Sequence, residues 1–240
     1  MTSNGIKNTA WDEMPPVVTW QNMLVMLTAV VIGAFAAIVV LPSWLPVLTV
    51  SLSGESPKVY WYLSRSTAFV SFGLLWLSMV FGLLISSKLS SLWPGGPTAF
   101  ELHQHTGLLG LAFALFHGLI LLGDHYMGYT LVQILVPFTS NYRPQWVGLG
   151  QVGLYLMMLV GLSVYVRQWI GKRMWRLIHF LSFMLFGLAL IHGLSSGTDS
   201  STVWAQGLYG VSGISVLGLL VYRILKTVGL IKTTRLPKTR

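Results

Sequence analysis

The chain of 240 residues contains no cysteine. That excludes a disulfide framework, a cysteine-ligated iron–sulfur cluster, a thiolate zinc site and covalently attached c-type haem. Charge is also scarce. Asp, Glu, Lys and Arg make up 9% of the residues, where a soluble domain carries about 25%. Only six residues are acidic, and 54% are apolar, so the chain lacks the polar skin that a water-soluble fold of this size needs. No polar stretch is long enough for a nucleotide-binding domain. The basic residues gather on no soluble face, so the net charge of +9 does not point to nucleic acid.

What is present is a series of apolar runs near the roughly 20 residues that cross a bilayer as a helix. Six qualify, at residues 18–40, 60–85, 102–122, 147–166, 175–194 and 203–225. None alternates with the period of two expected of a membrane barrel. The expected fold is all-α: an integral membrane six-helix bundle. Residues 1–17 form an N-terminal segment, 18–226 the six-span domain and 227–240 a basic tail. The first run is longer than a leader's apolar core and lacks a dense basic flank, so it is read as a retained helix.

Lysine and arginine set the orientation. Lys7, Lys88, Arg167, Lys172, Arg173, Arg176, Arg223, Lys226, Lys232, Arg235, Lys238 and Arg240 fall on one side, and Lys58, Arg65 and Arg143 on the other. Twelve against three predicts a multi-pass protein of the cell membrane with both termini cytoplasmic, its basic face against anionic lipid. Loop 4–5, around Gln168 to Lys172, reads as a tight basic turn. In the long loop 3–4, residues 129–138 are too few to span and read as an apolar cap on the outer face.

Four of the six histidines are paired by spacing. His103 and His117 lie fourteen apart on the third span, and His179 and His192 thirteen apart on the fifth. An imidazole inside a bilayer is expensive unless partnered, and neutral imidazole is a standard axial ligand of haem iron. The third and fifth spans run parallel, so His103 and His179 share an inner level, and His117 and His192 an outer one. The two levels are roughly 20 Å apart at 1.5 Å per residue. This pattern predicts two bis-histidine haems of the b type, an inner one on His103 and His179 and an outer one on His117 and His192, forming a path for electrons across the hydrocarbon layer. One geometric point resists. Thirteen residues turn His192 about 140° away from His179 on an ideal helix, which calls for a bulge near Gly187 or for haems entering from different flanks. His105 faces elsewhere than His103 and is assigned an interfacial or structural role. His125, beside Asp124, is read as solvated. Haem propionates want cationic neighbours. The candidates are Arg173 and Arg176 near the inner pair, and Arg65 and Arg143 near the outer.

His103-Gln104-His105-Thr106-Gly107 followed by His117-Gly118 resembles the haem helix of the ferric reductase-like transmembrane domain family. Trp175-Arg176-Leu177-Ile178-His179, leading to His192-Gly193 and Gly197-Thr198-Asp199, looks like that family's second haem helix. Trp61-Tyr62-Leu63-Ser64-Arg65 looks like the entry to its second span, and Val136-Pro137-Phe138 with Tyr142-Arg143-Pro144 fits its outer loop. The resemblance covers residues 59–225. It implies a membrane component of an oxidoreductase, of the kind shared by NADPH oxidases and ferric reductases, that takes electrons from a cytoplasmic-side donor to an outer-face acceptor such as ferric iron or oxygen. Those enzymes carry a flavin and nicotinamide domain after the last span. This chain stops at Arg240, so flavin is expected only on a separate NAD(P)H reductase, unless quinol is the donor. A second expectation is a haem subunit serving a periplasmic oxidoreductase such as a methionine sulfoxide reductase. A third, of another class, is a metal or proton transporter.

Overall fold

The structure is a computed structural model and describes residues 15–56 and 58–231. Lys7, Lys232, Arg235, Lys238 and Arg240, with most of the N-terminal segment and basic tail, lie outside the described residues. The described chain is all-helical, with no strand. Seven helices follow in order: α1 (Trp20–Val39), α2 (Pro46–Leu52), α3 (Val59–Ser86), α4 (Gly96–Ile120), α5 (Leu131–Leu135), α6 (Pro144–Ser196) and α7 (Val203–Thr227). Five of them, α1, α3, α4, α6 and α7, are long and apolar enough to cross a membrane.

α6 has 53 residues, about 80 Å if straight and far more than a bilayer's hydrocarbon core. It is not straight. Gly171 alone within it departs from helical geometry, at φ 79° and ψ 157°, a region open in practice only to glycine. The two arms fold back on each other. The His192 ring reaches Trp146 and Gly150, Leu188 and Leu185 face Gly153, and Arg167 lies over the Trp175 ring. Every one of these pairs is centred within two residues of Gly171. The basic turn read from sequence around Gln168 to Lys172 is the tip of this hairpin.

Contacts along the bundle fix the helix directions. The start of α1 meets α4 and the end of the first α6 arm, through the Val17 N–H on Gln104 and the Tyr165 hydroxyl on the Val18 carbonyl. The end of α1 meets the start of α3, where the buried Tyr60 hydroxyl donates to the Ala37 carbonyl (3.0 Å). α7 runs alongside α3, from Trp204 against Phe69, through the Trp76 indole on Ser215, to Lys226 on the Ser87 carbonyl. Both described ends of the chain therefore lie at one end of the bundle. That end also carries Lys88, Arg167, Lys172, Arg173, Arg176, Arg223 and Lys226, and is called the basic end below; the opposite end is the far end.

α3 and α4 are the most closely packed helices, and their seam is built from small residues. Ser64, Ser71 and Ser78 recur every seven residues, a step that returns to the same helix face within about 20°. Each hydroxyl donates to an α4 carbonyl, on His117 (3.0 Å), Gly110 (2.9 Å) and His103 (3.0 Å) respectively. Gly107 and Gly110 let the helices approach, since a Cβ there would meet Ser78 Oγ at 3.2 Å and Leu74 Cβ at 3.4 Å, both on α3. Where lipid tails are as apolar as the side chains, close packing and interhelical hydrogen bonds hold helices together. The outward faces of α1 and α7, with Val25, Ile32, Val39, Val203, Ile214 and Leu217 exposed, are what hydrocarbon would cover.

At the far end Asp124 is 1% exposed, and neither carboxylate oxygen makes a close, well-aligned hydrogen bond among the described residues. Burial pushes its pKa up from the ordinary 3.8. A raised folded-state pKa means that its stability contribution is complete below about 3.8 and is lost as pH rises through the folded value. Asp124→Asn is therefore expected to raise the detergent melting temperature at pH 7, with the advantage shrinking as pH approaches 4. An advantage equal at both pH values would exclude this origin.

Candidate functional site

α4 and the second arm of α6 stand apart, and two cavities separate them. The larger, about 1250 Å³, opens at the basic end and is lined by His103 and His179 with Lys88, Arg167, Arg176 and Arg223. The smaller, about 210 Å³, lies toward the far end and is lined by His117 and His192 with Arg65, Gln151 and Asp199. Leu75, Met157 and Leu185 line both. They are at most 6% exposed and belong to the central core, so an apolar septum divides the two spaces.

Each cavity holds one histidine pair. The ring centroids of His103 and His179 are 5.8 Å apart, and those of His117 and His192 6.3 Å. The partners come from helices running the same way, which is why the levels match. Only Gly171 in α6 is non-helical, so no bulge at Gly187 reconciles the thirteen-residue spacing. His179 and His192 leave their arm on different sides, and the two cavities correspondingly flank it differently: Phe180 and Phe183 line one, Ala189 and Gly193 the other.

Three of the four rings are anchored through Nδ1 to a backbone carbonyl. His103 donates to Ser78 (2.8 Å), His117 to Ser64 (2.9 Å) and His192 to Trp146 (2.9 Å). A carbonyl can only accept, so the proton of each neutral imidazole sits on Nδ1, and Nε2 keeps its lone pair. The Ser78 and Ser64 hydroxyl oxygens lie 3.1 and 2.8 Å from the same Nδ1 atoms. Glycines make room for two rings. A Cβ on Gly150 would lie 2.6 Å from His192 Nδ1, and one on Gly82 3.2 Å from the His103 ring.

The arrangement fits a group with a metal at its centre. Two imidazoles bonded to opposite sides of one metal at about 2 Å per bond have centroids on the order of 6 Å apart, the spacing of both pairs. Orphaned polar atoms also line these spaces. The Trp175 indole nitrogen beside the larger cavity, and Gln151 Oε1 and Ser196 Oγ beside the smaller, are buried with no hydrogen-bond partner among the described residues, although buried polar atoms are ordinarily satisfied.

The four candidate cations are placed unequally. Arg65 lines the far cavity and forms a salt bridge with Asp199, its Nε 2.8 Å from Oδ2. Arg143 donates to the Ser195 carbonyl and caps the start of α6, one residue beyond Tyr142, which does line that cavity. Arg176 lines the larger cavity, whereas Arg173 is exposed and lines neither. Lys88, Arg167 and Arg223, counted in the sequence only toward topology, are further cations lining the larger cavity. His105 bonds the Glu101 carbonyl of its own helix (2.8 Å), and His125 is exposed; neither lines a cavity.

Residues 129–138, read as a cap, contain the short α5, whose Gln133 and Ile134 wall the far cavity. Its carbonyls are satisfied by α6: Gln151 donates to Gln133 and Ile134 (2.7 and 2.8 Å), and Tyr155 to Leu135. Sequence reading missed Gln151 and Tyr155. A glutamine within an apolar span, costly unless paired, was the available signal.

Comparison with known protein families, curated proteins and solved structures finds no match for this chain.

Proposed function

We propose that the chain is a membrane b-type cytochrome that carries electrons through two haems, one held by His103 and His179 and the other by His117 and His192. In this reading α6 crosses the bilayer twice, giving six spans, with both termini and the basic end cytoplasmic. The observation that carries it is the pair of facing imidazoles in each of two cavities, with Nδ1 committed to a carbonyl in three of the four rings. The haem iron supplies one-electron chemistry when bound; the protein supplies position and environment.

The chain's own residues then divide the work. Nδ1 anchoring by Ser78, Ser64 and Trp146 keeps Nε2 free as the ligating atom. The Leu75, Met157 and Leu185 septum excludes water between the two levels. Arg176 and Arg223 put positive charge where anionic propionates would be neutralised and where an acidic donor protein, a flavin-bearing NAD(P)H reductase, would be attracted. Quinol is the other donor. The acceptor, whether ferric iron, oxygen or the cofactor of a periplasmic oxidoreductase, would be met at the far end.

The test is a dithionite-reduced minus oxidised spectrum with pyridine haemochrome quantitation on detergent-purified protein. About two b-type haems per chain are expected, with His117→Ala and His179→Ala each losing one. A colourless protein made with ample haem supply would sink the reading.

A further inference from the structure

The α3–α4 seam contains the same device twice. Ser64 faces His117, and Ser78 faces His103, fourteen residues along each antiparallel helix. In both, the serine hydroxyl donates to the histidine's own carbonyl at 3.0 Å. Its hydrogen is thereby committed, and the oxygen's lone pairs are left toward the ring. Imidazole Nδ1 then meets two acceptors from one residue, the serine carbonyl at 2.9 or 2.8 Å and the hydroxyl oxygen at 2.8 or 3.1 Å. Ser71, midway between them, makes the same hydroxyl-to-carbonyl bond with Gly110 (2.9 Å), where α4 has no ring. All three serines are buried. The seam alone would account for the carbonyl bonds; the doubled contact to Nδ1 is what the seam does not require.

We infer that Ser64 and Ser78 are positioning residues, each setting the orientation and donor strength of one ligating imidazole: Ser64 for His117 and Ser78 for His103. The inference rests on the haem reading above. A second acceptor on Nδ1–H makes the imidazole a more electron-rich ligand, which favours ferric over ferrous iron and lowers the potential. Alanine removes the hydroxyl acceptor but leaves the serine position's main-chain carbonyl, so the ring stays held while its donor strength falls.

The experiment is a potentiometric titration of purified haem-loaded protein, following the reduced spectrum, with the ferric low-spin electron paramagnetic resonance spectrum recorded on each sample. The two signals are assigned beforehand with His117→Ala. Ser64→Ala is expected to raise the midpoint of the far haem only and to shift its resonance. Ser78→Ala should do the same for the basic-end haem only. Ser71→Ala should leave both midpoints and both resonances unchanged, and Ser64→Thr, which keeps a hydroxyl, should restore the far midpoint. Loss of one haem from its matching variant, with the other retained, also supports the assignment. Unmoved midpoints in both Ser64→Ala and Ser78→Ala would overturn it, as would equal shifts in all three alanine variants or loss of both haems from one, since those mark a packing role alone. Wild-type protein that binds no haem would fail the parent reading instead.

Discussion

Gly150→Ala is expected to reduce the haem content from about two per chain to about one, while leaving the basic-end haem spectrally intact. Helix propensity argues the opposite direction: alanine for glycine inside a helix stabilises by about 0.5–1 kcal/mol. The local geometry decides against it. The His192 ring lies on the first arm of α6 with Nδ1 on the Trp146 carbonyl, one helical turn before Gly150. A Cβ at Gly150 would come within 2.6–2.8 Å of three ring atoms, closer than non-bonded contact allows, so the ring must leave either the carbonyl or its place opposite His117. The hairpin itself does not depend on that ring, because Leu185, Leu188 and Arg167 also join the two arms. Protein yield and helicity should therefore hold while one haem is lost. Gly187→Ala is the matched control on the same helix, where the added Cβ would meet nothing within 4 Å and the position lines neither cavity; it should keep both haems. Two retained haems in Gly150→Ala, with an unchanged spectrum, would show that His192 does not hold the far haem.

Much of this arrangement was legible because it depends on one-dimensional quantities. Run length and apolarity locate α1, α3, α4 and α7, and the basic tip at Gln168 to Lys172 marks the turn within α6. Equal spacing on parallel helices brings His103 opposite His179 and His117 opposite His192. What was not legible depends on distances between helices. The 140° offset between His179 and His192 leaves two readings in the sequence, a bulge near Gly187 or entry from different flanks. The helix there is regular, and the cavities lie on different sides of it. No spacing rule on a single helix could choose between the two. Nor could it single out which glycines matter. Gly107, Gly118 and Gly193 stand in the histidine motifs and line the cavities, yet a Cβ on them would meet Ser78, Ile134 and Tyr209 rather than a histidine ring. The glycines that admit the rings, Gly82 and Gly150, are on the helices opposite.

Ser64, Ser71 and Ser78 are an intermediate case. Their seven-residue period is visible in the sequence, but serine in an apolar span also bonds its own helix, as Ser66 does to Tyr62 and Ser163 to Val160. Only the antiparallel pairing of α3 with α4 shows that these three turn toward a neighbour. Met157 shows the same limit from the other side. It is buried in the central core, but its position beside Leu75 and Leu185 also makes it part of the partition between the two cavities.

The second large effect is expected at the far end, where Arg65 and Asp199 pair beside the smaller cavity with side chains 28% and 21% exposed. Removing one member of a buried pair leaves the other charge uncompensated, at about 3–5 kcal/mol when burial is complete. Partial exposure lowers this, so Arg65→Leu and Asp199→Leu are each expected to cost about 2 kcal/mol in detergent unfolding. The double variant should lie within about 1 kcal/mol of wild type, because an apolar pair replaces the charged one with little net loss. The cycle would thus return a coupling of about 3 kcal/mol or more, and high salt should change it little, since a partly buried pair is poorly screened. Additive losses would show that the two charges do not stabilise one another. The same variants separate a structural pair from one that also serves a cofactor. If an anionic group occupies the far cavity, it offers Arg65 a second partner once Asp199 is gone. Asp199→Leu should then destabilise haem-depleted protein more than haem-loaded protein. Arg65→Leu should show the opposite order or none, because it removes the cation that both anions would share.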